Sequence, residues 1–162
     1  MKRFVIITFE LVCSFVLQAQ NNYFKPGHST IIDSSKGDMM IHQSRLMPRI
    51  SGFWNVTEKE IDLLEINFKK LSAVDSSFCE SGDCKLDSLH KFVYQYIGVI
   101  YQGRKLVYIN AFRFRSDSDL KTRFGNWKTN PVRVLDGGNS YWGVLFDIDR
   151  QEFIHLSFNG EA

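Results

Sequence analysis

The pattern of apolar positions predicts one long helix ahead of the strands. Between residues 57 and 74, apolar side chains recur at helical spacing at Ile61, Leu64, Phe68 and Leu71. Thr57-Glu58-Lys59-Glu60 is a capping box, in which the Thr57 hydroxyl accepts the Glu60 amide and the Glu60 carboxylate reaches back to residue 57. We therefore expect a helix from about Thr57 to Val74, with one face packed on a sheet.

The second half of the chain has the pattern of strands. Residues 92–101 and 105–115 are rich in β-branched and aromatic side chains, and Gln102-Gly103-Arg104 between them is a hairpin sequence. A polar loop over residues 116–130 precedes further strands predicted at 131–135, 141–148 and 154–159. One helix followed by four to five meandering antiparallel strands predicts an α+β fold, of the cystatin-like or nuclear-transport-factor-like kind.

The first residues have the pattern of a secretory signal peptide. Met1-Lys2-Arg3 is basic, residues 4–17 are mostly apolar, and Ala19 is a small residue suited to a cleavage site. Glu10 and Leu17 depart from this pattern, and the alternative is a buried N-terminal strand or helix. The apolar stretch is shorter than the ~20 residues of a spanning helix. We therefore expect cleavage after Ala19 and a periplasmic or secreted protein without stable membrane insertion.

The mature chain is expected to form a single domain. Residues 20–51 have little periodicity and predict a linker or a loosely packed arm, whereas residues 52–162 form the α+β domain. Without Lys2, Arg3 and Glu10, the formal net charge falls from +2 to +1. This balance gives no electrostatic reason to expect binding to nucleic acid or to a membrane surface.

The mature chain keeps two cysteines, Cys79 and Cys84, since Cys13 lies in the predicted leader. Gly82 and Asp83 between them can form the turn that brings the two Cα atoms within bonding distance. In an oxidising compartment so close a pair favours a structural disulfide. Redox chemistry and zinc remain alternatives, although a zinc site needs two further ligands and His90 is the one nearby candidate.

Side chains able to catalyse a reaction are few in this sequence. Asp136 and Asp147 can act as acids, bases or calcium ligands, but aspartate beside glycine or at a strand end is also ordinary turn chemistry. His155 is predicted to lie on the sheet face away from Ile154 and Leu156. The chain has no nucleophile elbow, phosphate-binding loop or zinc-protease motif. We expect neither a cofactor nor a metal, and the sequence leans against an enzyme.

Aromatic side chains indicate a binding surface. Tyrosine and tryptophan dominate binding hot spots, because each covers a large area at a small entropic cost. They are also common core residues of strands, so the interpretation requires one sheet face to be open. The predicted binding residues are Tyr108, Trp127, Tyr141, Trp142 and His155.

Two segments of the second half have a familiar sequence. The first joins Tyr94-Gln95-Tyr96-Ile97-Gly98-Val99 to the strand over residues 106–112, and the second runs from Asp136-Gly137-Gly138 through Tyr141-Trp142-Gly143 to Asn159-Gly160-Glu161-Ala162. Together they resemble a group of small, uncharacterised exported proteins of Gram-negative bacteria. The resemblance implies export and the sheet but no activity. Many members of that group would carry a cysteine where this chain has Leu135, which leaves Cys79 and Cys84 to pair with each other.

The preferred interpretation is an exported, non-catalytic binding module for an unknown protein or small ligand, of an inhibitor or immunity type. It predicts a flat or shallow surface of exposed strand aromatics. The alternative is a small periplasmic hydrolase or ligand-binding enzyme with its site in the curved sheet. That alternative predicts a pocket in which two of Asp136, Asp147 and His155 converge within hydrogen-bond distance.

Overall fold

The computed structural model describes residues 24–78, 86 and 88–161, which form an α+β fold around a seven-stranded, mostly antiparallel sheet. The strands are β1 (Ser29–Ile31), β2 (Gly52–Trp54), β3 (Ser76–Phe78), β4 (Phe92–Tyr101), β5 (Arg104–Arg113), β6 (Tyr141–Asp147) and β7 (Glu152–Phe158). The α-helices are α1 (Gly37–Ile41), α2 (Glu58–Ile66) and α3 (Asp117–Phe124). Short 3-10 segments lie at Ser34–Lys36, Phe68–Ala73, Leu89–Lys91 and Gly138–Ser140.

Strands β4 to β7 form an antiparallel meander at the centre of the sheet, whose order is β1-β4-β5-β6-β7-β3. Strand β1 pairs in parallel with the first half of β4, and β2 pairs antiparallel with its second half. Strand β3 pairs in parallel with β7. The predicted β4–β5 hairpin is confirmed, and both residues of its turn, Gln102 and Gly103, have positive φ as a tight hairpin requires.

The predicted helix is present but shorter than expected. Its capping box forms as predicted, with the Thr57 amide donating to Glu60 Oε2 at 2.7 Å. At Asn67 the backbone amide donates to Leu64 three residues back, and the chain continues as the 3-10 segment. The Asn67 side chain also donates to the backbone carbonyl of Leu63. Such bonds compete with the backbone bonding of a helix, which is why asparagine is unfavourable in helix interiors. The predicted core positions are nevertheless buried: Ile61, Leu64, Phe68 and Leu71.

The sheet face beneath α2, which we call the helix face, is an aromatic core. Trp142 lies at its centre and packs edge-on against Phe92 and Tyr94, with ring centroids 5.6 and 5.9 Å apart. Phe68, from the 3-10 segment after α2, contacts Tyr94 at 5.0 Å and Phe153 at 6.1 Å. Apolar area and edge-to-face ring contacts therefore hold α2 and its extension on the sheet.

The opposite face, which we call the arm face, is also covered. Residues 32–50, the arm, come from the segment predicted to be a linker or loosely packed, yet Met40 is 0% and Ile32 2% exposed. Residues 125–134, the cover loop, lie beside α3 and bury Trp127. The prediction that a single helix covers the sheet and leaves its other face partly polar is thus wrong, because the arm and the cover loop bury that face.

A row of polar positions crosses the arm face perpendicular to the strands. Successive partners in the strand pairing are Gln95, Asn110, Gly143 and Ser157. The Gln95 side chain donates to the carbonyls of Trp127 and Asn130 at 2.6 and 2.8 Å. The Ser157 hydroxyl donates to the carbonyl of Leu46 at 2.8 Å. The row therefore ties both the cover loop and the arm to the sheet.

The strand predicted at 131–135 is extended chain without strand pairing. Two of its amides bind side chains instead: Val132 donates to Gln95 Oε1 at 2.8 Å and Val134 to Gln43 Oε1 at 3.3 Å. The preceding polar segment holds a full helix, α3. The Ser116 hydroxyl caps this helix by accepting from the Asp119 amide at 3.2 Å.

Two predictions lie outside the described residues: the leader over residues 1–19 and the pairing of Cys79 with Cys84. Within the described residues, no helix combines the length and apolar character needed to span a membrane.

Candidate anion-binding site

The structure buries the aromatic residues predicted to form a binding surface. Tyr108 and Trp142 are 0% exposed, and Trp127 and Tyr141 are 7% exposed. Trp142 belongs to the helix face, while the other three lie on the arm face under the arm, α3 and the cover loop. The expected surface of exposed strand aromatics is therefore wrong for these four side chains.

The two predicted carboxylates lie at opposite ends of β6. Asp147 ends the strand, is fully buried and binds Arg104. The other oxygen of Asp147 accepts the amides of residues 149 and 150 at 3.1 and 3.2 Å, which confirms its predicted role in a turn. Asp136 precedes the strand, so the seven residues of β6, about 20 Å of extended chain, lie between the two carboxylates.

His155 is half-buried and lies 3.0 Å from the Tyr101 hydroxyl through Nε2. Its φ of 56° marks an irregularity in β7, where the pairing with β6 shifts register. As a result Ile154 packs on the arm face and Leu156 on the helix face, rather than both on one face as predicted. The hydrogen bonds of His155 and Asp147 go to other groups, so the convergence expected for the enzyme alternative is not formed.

A cleft of about 600 Å³ opens at the end of the sheet where β5 ends and β6 begins. Its lining includes three guanidinium groups, two hydroxyl groups and a single carboxylate. The residues that carry these groups are Arg113, Arg115, Arg123, Ser140, Tyr141 and Asp136. We call this site the arginine cleft; its formal charge favours an anion.

Arg113 and Arg115 place two cations in the cleft at the end of β5. Arg113 is the last residue of the strand, and Arg115 follows it in the bend before α3. Arg113 is half-buried and Arg115 is exposed. Among the described residues, neither guanidinium has a hydrogen-bond or ion-pair partner. Two unpaired guanidiniums in one cleft repel each other, and an anion bound between them offsets that repulsion.

Arg123 is the third cation and is fixed by its neighbours. Its Nη2 donates to the Tyr141 hydroxyl at 3.2 Å, and its Nη1 lies 3.7 Å from Asp119 Oδ1. The Tyr141 ring packs against Gly137, where a Cβ would lie 2.6 Å from the ring and φ is +93°. Glycine is therefore required at 137 both for its backbone conformation and for the close approach of the ring.

The wall of the cleft is tied to the C-terminal end of the chain. The Gly138 amide donates to the Gly160 carbonyl at 3.2 Å. Asn159 Nδ2 donates to the carbonyls of Val134 and Asp136 at 2.6 and 3.2 Å. These bonds hold the Asp-Gly-Gly loop in one position, so the cleft is preformed on this side.

A second, shallower cleft of about 340 Å³ adjoins the first and shares Arg123 with it. Arg133 also lines this second cleft. Residues 113–133 contain six basic and two acidic side chains, in a chain whose total formal charge is only +2. That local imbalance was the sequence signal for the site. It was missed because the cations are dispersed over a strand end, a helix and a loop.

No group of three or more His, Cys, Asp or Glu side chains among the described residues is arranged to hold a metal ion. Comparisons with protein-family models, with curated proteins and with solved structures find no match to this chain.

Proposed function

We propose that the protein is an exported, non-catalytic binding module that holds an acidic segment of a partner protein in the arginine cleft. The observation that carries the proposal is the pair of unpartnered guanidiniums, Arg113 and Arg115, beside the fixed guanidinium of Arg123. An inhibitor or an immunity protein is the type of binding module that this arrangement suits.

The chemistry of arginine supports a carboxylate ligand. A guanidinium stays charged at all physiological pH values and offers a planar set of donors that matches a carboxylate in two parallel hydrogen bonds. The hydroxyls of Ser140 and Tyr141 add polar groups to the same cleft. A volume of about 600 Å³ also falls within the range of ordinary ligand sites.

The surroundings of the cleft favour a protein segment as the ligand. Leu135 is 60% exposed, and its chain neighbours Val134 and Asp136 line the cleft, which places an apolar side chain at the rim. The adjoining cleft beyond Arg123 extends the basic surface in a second direction. An extended acidic segment with an apolar residue fits this surface, and arginine is among the residues enriched at protein-binding hot spots.

Several sequence expectations enter the same proposal. Export follows from the leader pattern over residues 1–19 and from the resemblance to exported proteins, and a disulfide between Cys79 and Cys84 suits an oxidising compartment. A helix followed by the β4–β7 meander supports a cystatin-like or nuclear-transport-factor-like layer, to which β1 and β3 add parallel edge strands.

The proposal is tested by the anisotropy of a fluorescein-labelled oligoglutamate peptide, titrated with purified protein at low ionic strength. The double variant R113Q/R115Q should bind this probe at least ~10-fold more weakly, since each lost charged hydrogen bond contributes about 1.5–3 kcal/mol. The matched control R49Q/K59Q removes the same charge from two exposed side chains outside the cleft. If both double variants bind the probe equally weakly, the binding is general charge attraction rather than recognition in the cleft, and the proposal is refuted.

A further inference from the structure

The guanidinium of Arg45, a residue of the arm, is buried against the sheet, and no negatively charged side chain among the described residues binds it. Its side chain belongs to a residue only 5% exposed, and Nη2 donates to Asn110 Oδ1 at 2.7 Å. Its Nε and Nη1 atoms are buried and make no hydrogen bond. Burial lowers the pKa of Arg45, yet a guanidinium remains protonated in proteins. A buried charge of this kind requires compensation.

Among the described residues, the two buried carboxylates bind other groups, and the Tyr108 phenol is neutral. The buried carboxylate of Asp147 lies four residues along β6 from Gly143 and binds Arg104. Glu65 lies on the helix face, where it accepts the Tyr96 hydroxyl at 3.1 Å. Burial raises the pKa of the Tyr108 phenol and outweighs the lowering by Arg45, so Tyr108 is uncharged at neutral pH.

The Tyr108 hydroxyl is the second unsatisfied group at this position. A Cβ on Gly143 would lie 2.5 Å from this hydroxyl and 3.0 Å from Arg45 Nη1. The two atoms are therefore separated by at most the sum of those distances, 5.5 Å. One atom placed about 3 Å from each can bridge such a gap.

We propose that Arg45 and Tyr108 bind a monatomic anion, chloride in an exported protein, between the arm and the sheet. The unsatisfied Arg45 Nη1 and Tyr108 hydroxyl both lie above Gly143, where one anion can accept a hydrogen bond from each and supply the missing negative charge. A water molecule satisfies such donors but leaves the charge uncompensated. The close packing above Gly143 favours a single atom over a polyatomic anion.

The donors of this site are held in place by the polar row. Asn110 Nδ2 donates to Gln95 Oε1 at 3.0 Å, which orients the Asn110 oxygen toward Arg45. Ser157 fixes the carbonyl of Leu46, the residue that follows Arg45. A bound chloride therefore connects the arm to the sheet, and it stabilises the folded state by an amount that rises with the logarithm of the chloride concentration above its Kd.

Thermal unfolding of the full chain at constant ionic strength tests the proposal, with sodium gluconate replaced stepwise by sodium chloride. The Tm of the wild type should rise as chloride replaces the bulky gluconate. Tyr108→Phe keeps the ring and removes only the unsatisfied hydroxyl, so most of the chloride-dependent rise should disappear. Tyr101→Phe, a hydroxyl deletion beside His155, should retain it.

Two results overturn the proposal: a wild-type Tm that is equal in the two salts, or a chloride-dependent rise that persists undiminished in Tyr108→Phe. The second result is also the one expected if chloride acts only in the arginine cleft. Crystals grown in bromide provide the direct check. Anomalous density should lie within hydrogen-bond range of Arg45 Nη1 and the Tyr108 hydroxyl, and a map without bromide there contradicts the assignment.

Discussion

The two faces of the sheet are covered by different means. On the helix face, α2 and its 3-10 extension pack apolar and aromatic side chains against Trp142, Tyr94 and Phe153. On the arm face, the arm and the cover loop add apolar side chains of their own, but directional hydrogen bonds from the polar row also fix them to the sheet. Among the described residues, most buried side-chain atoms without a hydrogen-bond partner lie on the arm side, at Arg45, Tyr108 and Asn159. The helix side has one such atom, the indole nitrogen of Trp142.

The helix face therefore serves the stability of the fold, whereas the groups available for binding lie on the arm side and at the end of the sheet. Apolar packing is non-directional and leaves few polar groups to satisfy, so the helix face stabilises the fold and offers little to a ligand. The arm side and the end of the sheet keep polar and charged groups that the described chain does not satisfy. Both sites that we propose, the arginine cleft and the Arg45 site, lie there.

The largest loss of stability should follow truncation of the helix-face core. Phe68→Ala removes a fully buried ring that contacts Tyr94 and Phe153, and should lower the free energy of unfolding by about 3–5 kcal/mol. Ile66→Ala, at a 57% exposed position, is the matched control and should change it by less than about 0.5 kcal/mol. Urea unfolding measures both, and equal effects would show that the helix does not pack as described.

A smaller and more local loss should follow disruption of the polar row. Asn110→Ala leaves Arg45 Nη2 and the Val132 carbonyl without their hydrogen-bond partner. The loss of one charged and one neutral buried bond should lower the free energy of unfolding by about 2–3 kcal/mol. Hydrogen exchange should accelerate first at the Val132 amide, before the amides of the β4–β5 hairpin. Asn139→Ala, at an exposed position, should leave this exchange unchanged. Uniform acceleration over all strands would contradict separate anchoring of the arm face.

The capping box of α2 should contribute less, and in a pH-dependent way. The hydrogen bond from the Thr57 side chain holds the pKa of Glu60 below its ordinary value. Its stabilisation is therefore present above the unfolded pKa of about 4.3 and is lost as the pH falls through the folded value. Glu60→Gln should cost less than about 1 kcal/mol at neutral pH, because the group is exposed, and the difference should vanish in acid. A difference that is constant from pH 7 to about pH 3 contradicts the assignment.

The smallest effect on stability should come from the arginine cleft. R113Q/R115Q removes two cations that have no partner among the described residues, so the free energy of unfolding should change by less than about 0.5 kcal/mol. Chemical unfolding of this variant and of R49Q/K59Q should give similar midpoints. A loss above about 2 kcal/mol would show that these arginines serve the fold rather than a ligand.

The features predicted correctly from the sequence are those that a few neighbouring residues determine. The capping box at Thr57 and the hairpin at Gln102-Gly103 follow from short-range chemistry, and the structure contains both. The polar row could not be predicted, because Gln95, Asn110 and Ser157 become neighbours only through strand register. The arm shows no periodicity because separate apolar side chains such as Ile32 and Met40, together with hydrogen bonds such as that from Ser157 to Leu46, hold it on the sheet rather than one continuous apolar stripe.

The candidate site was missed for a related physical reason. The prediction assumed that strand tyrosines and tryptophans were exposed for binding, but Tyr141 and Trp127 are buried in the apolar cluster that the cover loop and α3 form with the sheet. The arginines that face solvent come from separate elements that the fold brings together. The sequence showed the spacing of Arg113 and Arg115 and the basic excess over residues 113–133, but the meaning of both depended on where β5 ends.

The central claim is that the arginine cleft binds an acidic protein segment while the helix face takes no part. Amide chemical shifts of the uniformly ¹⁵N-labelled protein, recorded during titration with oligoglutamate, test this claim most directly. The account predicts saturable shifts at the end of β5, in α3 and in the loop over residues 136–140, with no change along α2. Shifts that include α2, or that spread without saturation over the whole surface, contradict it.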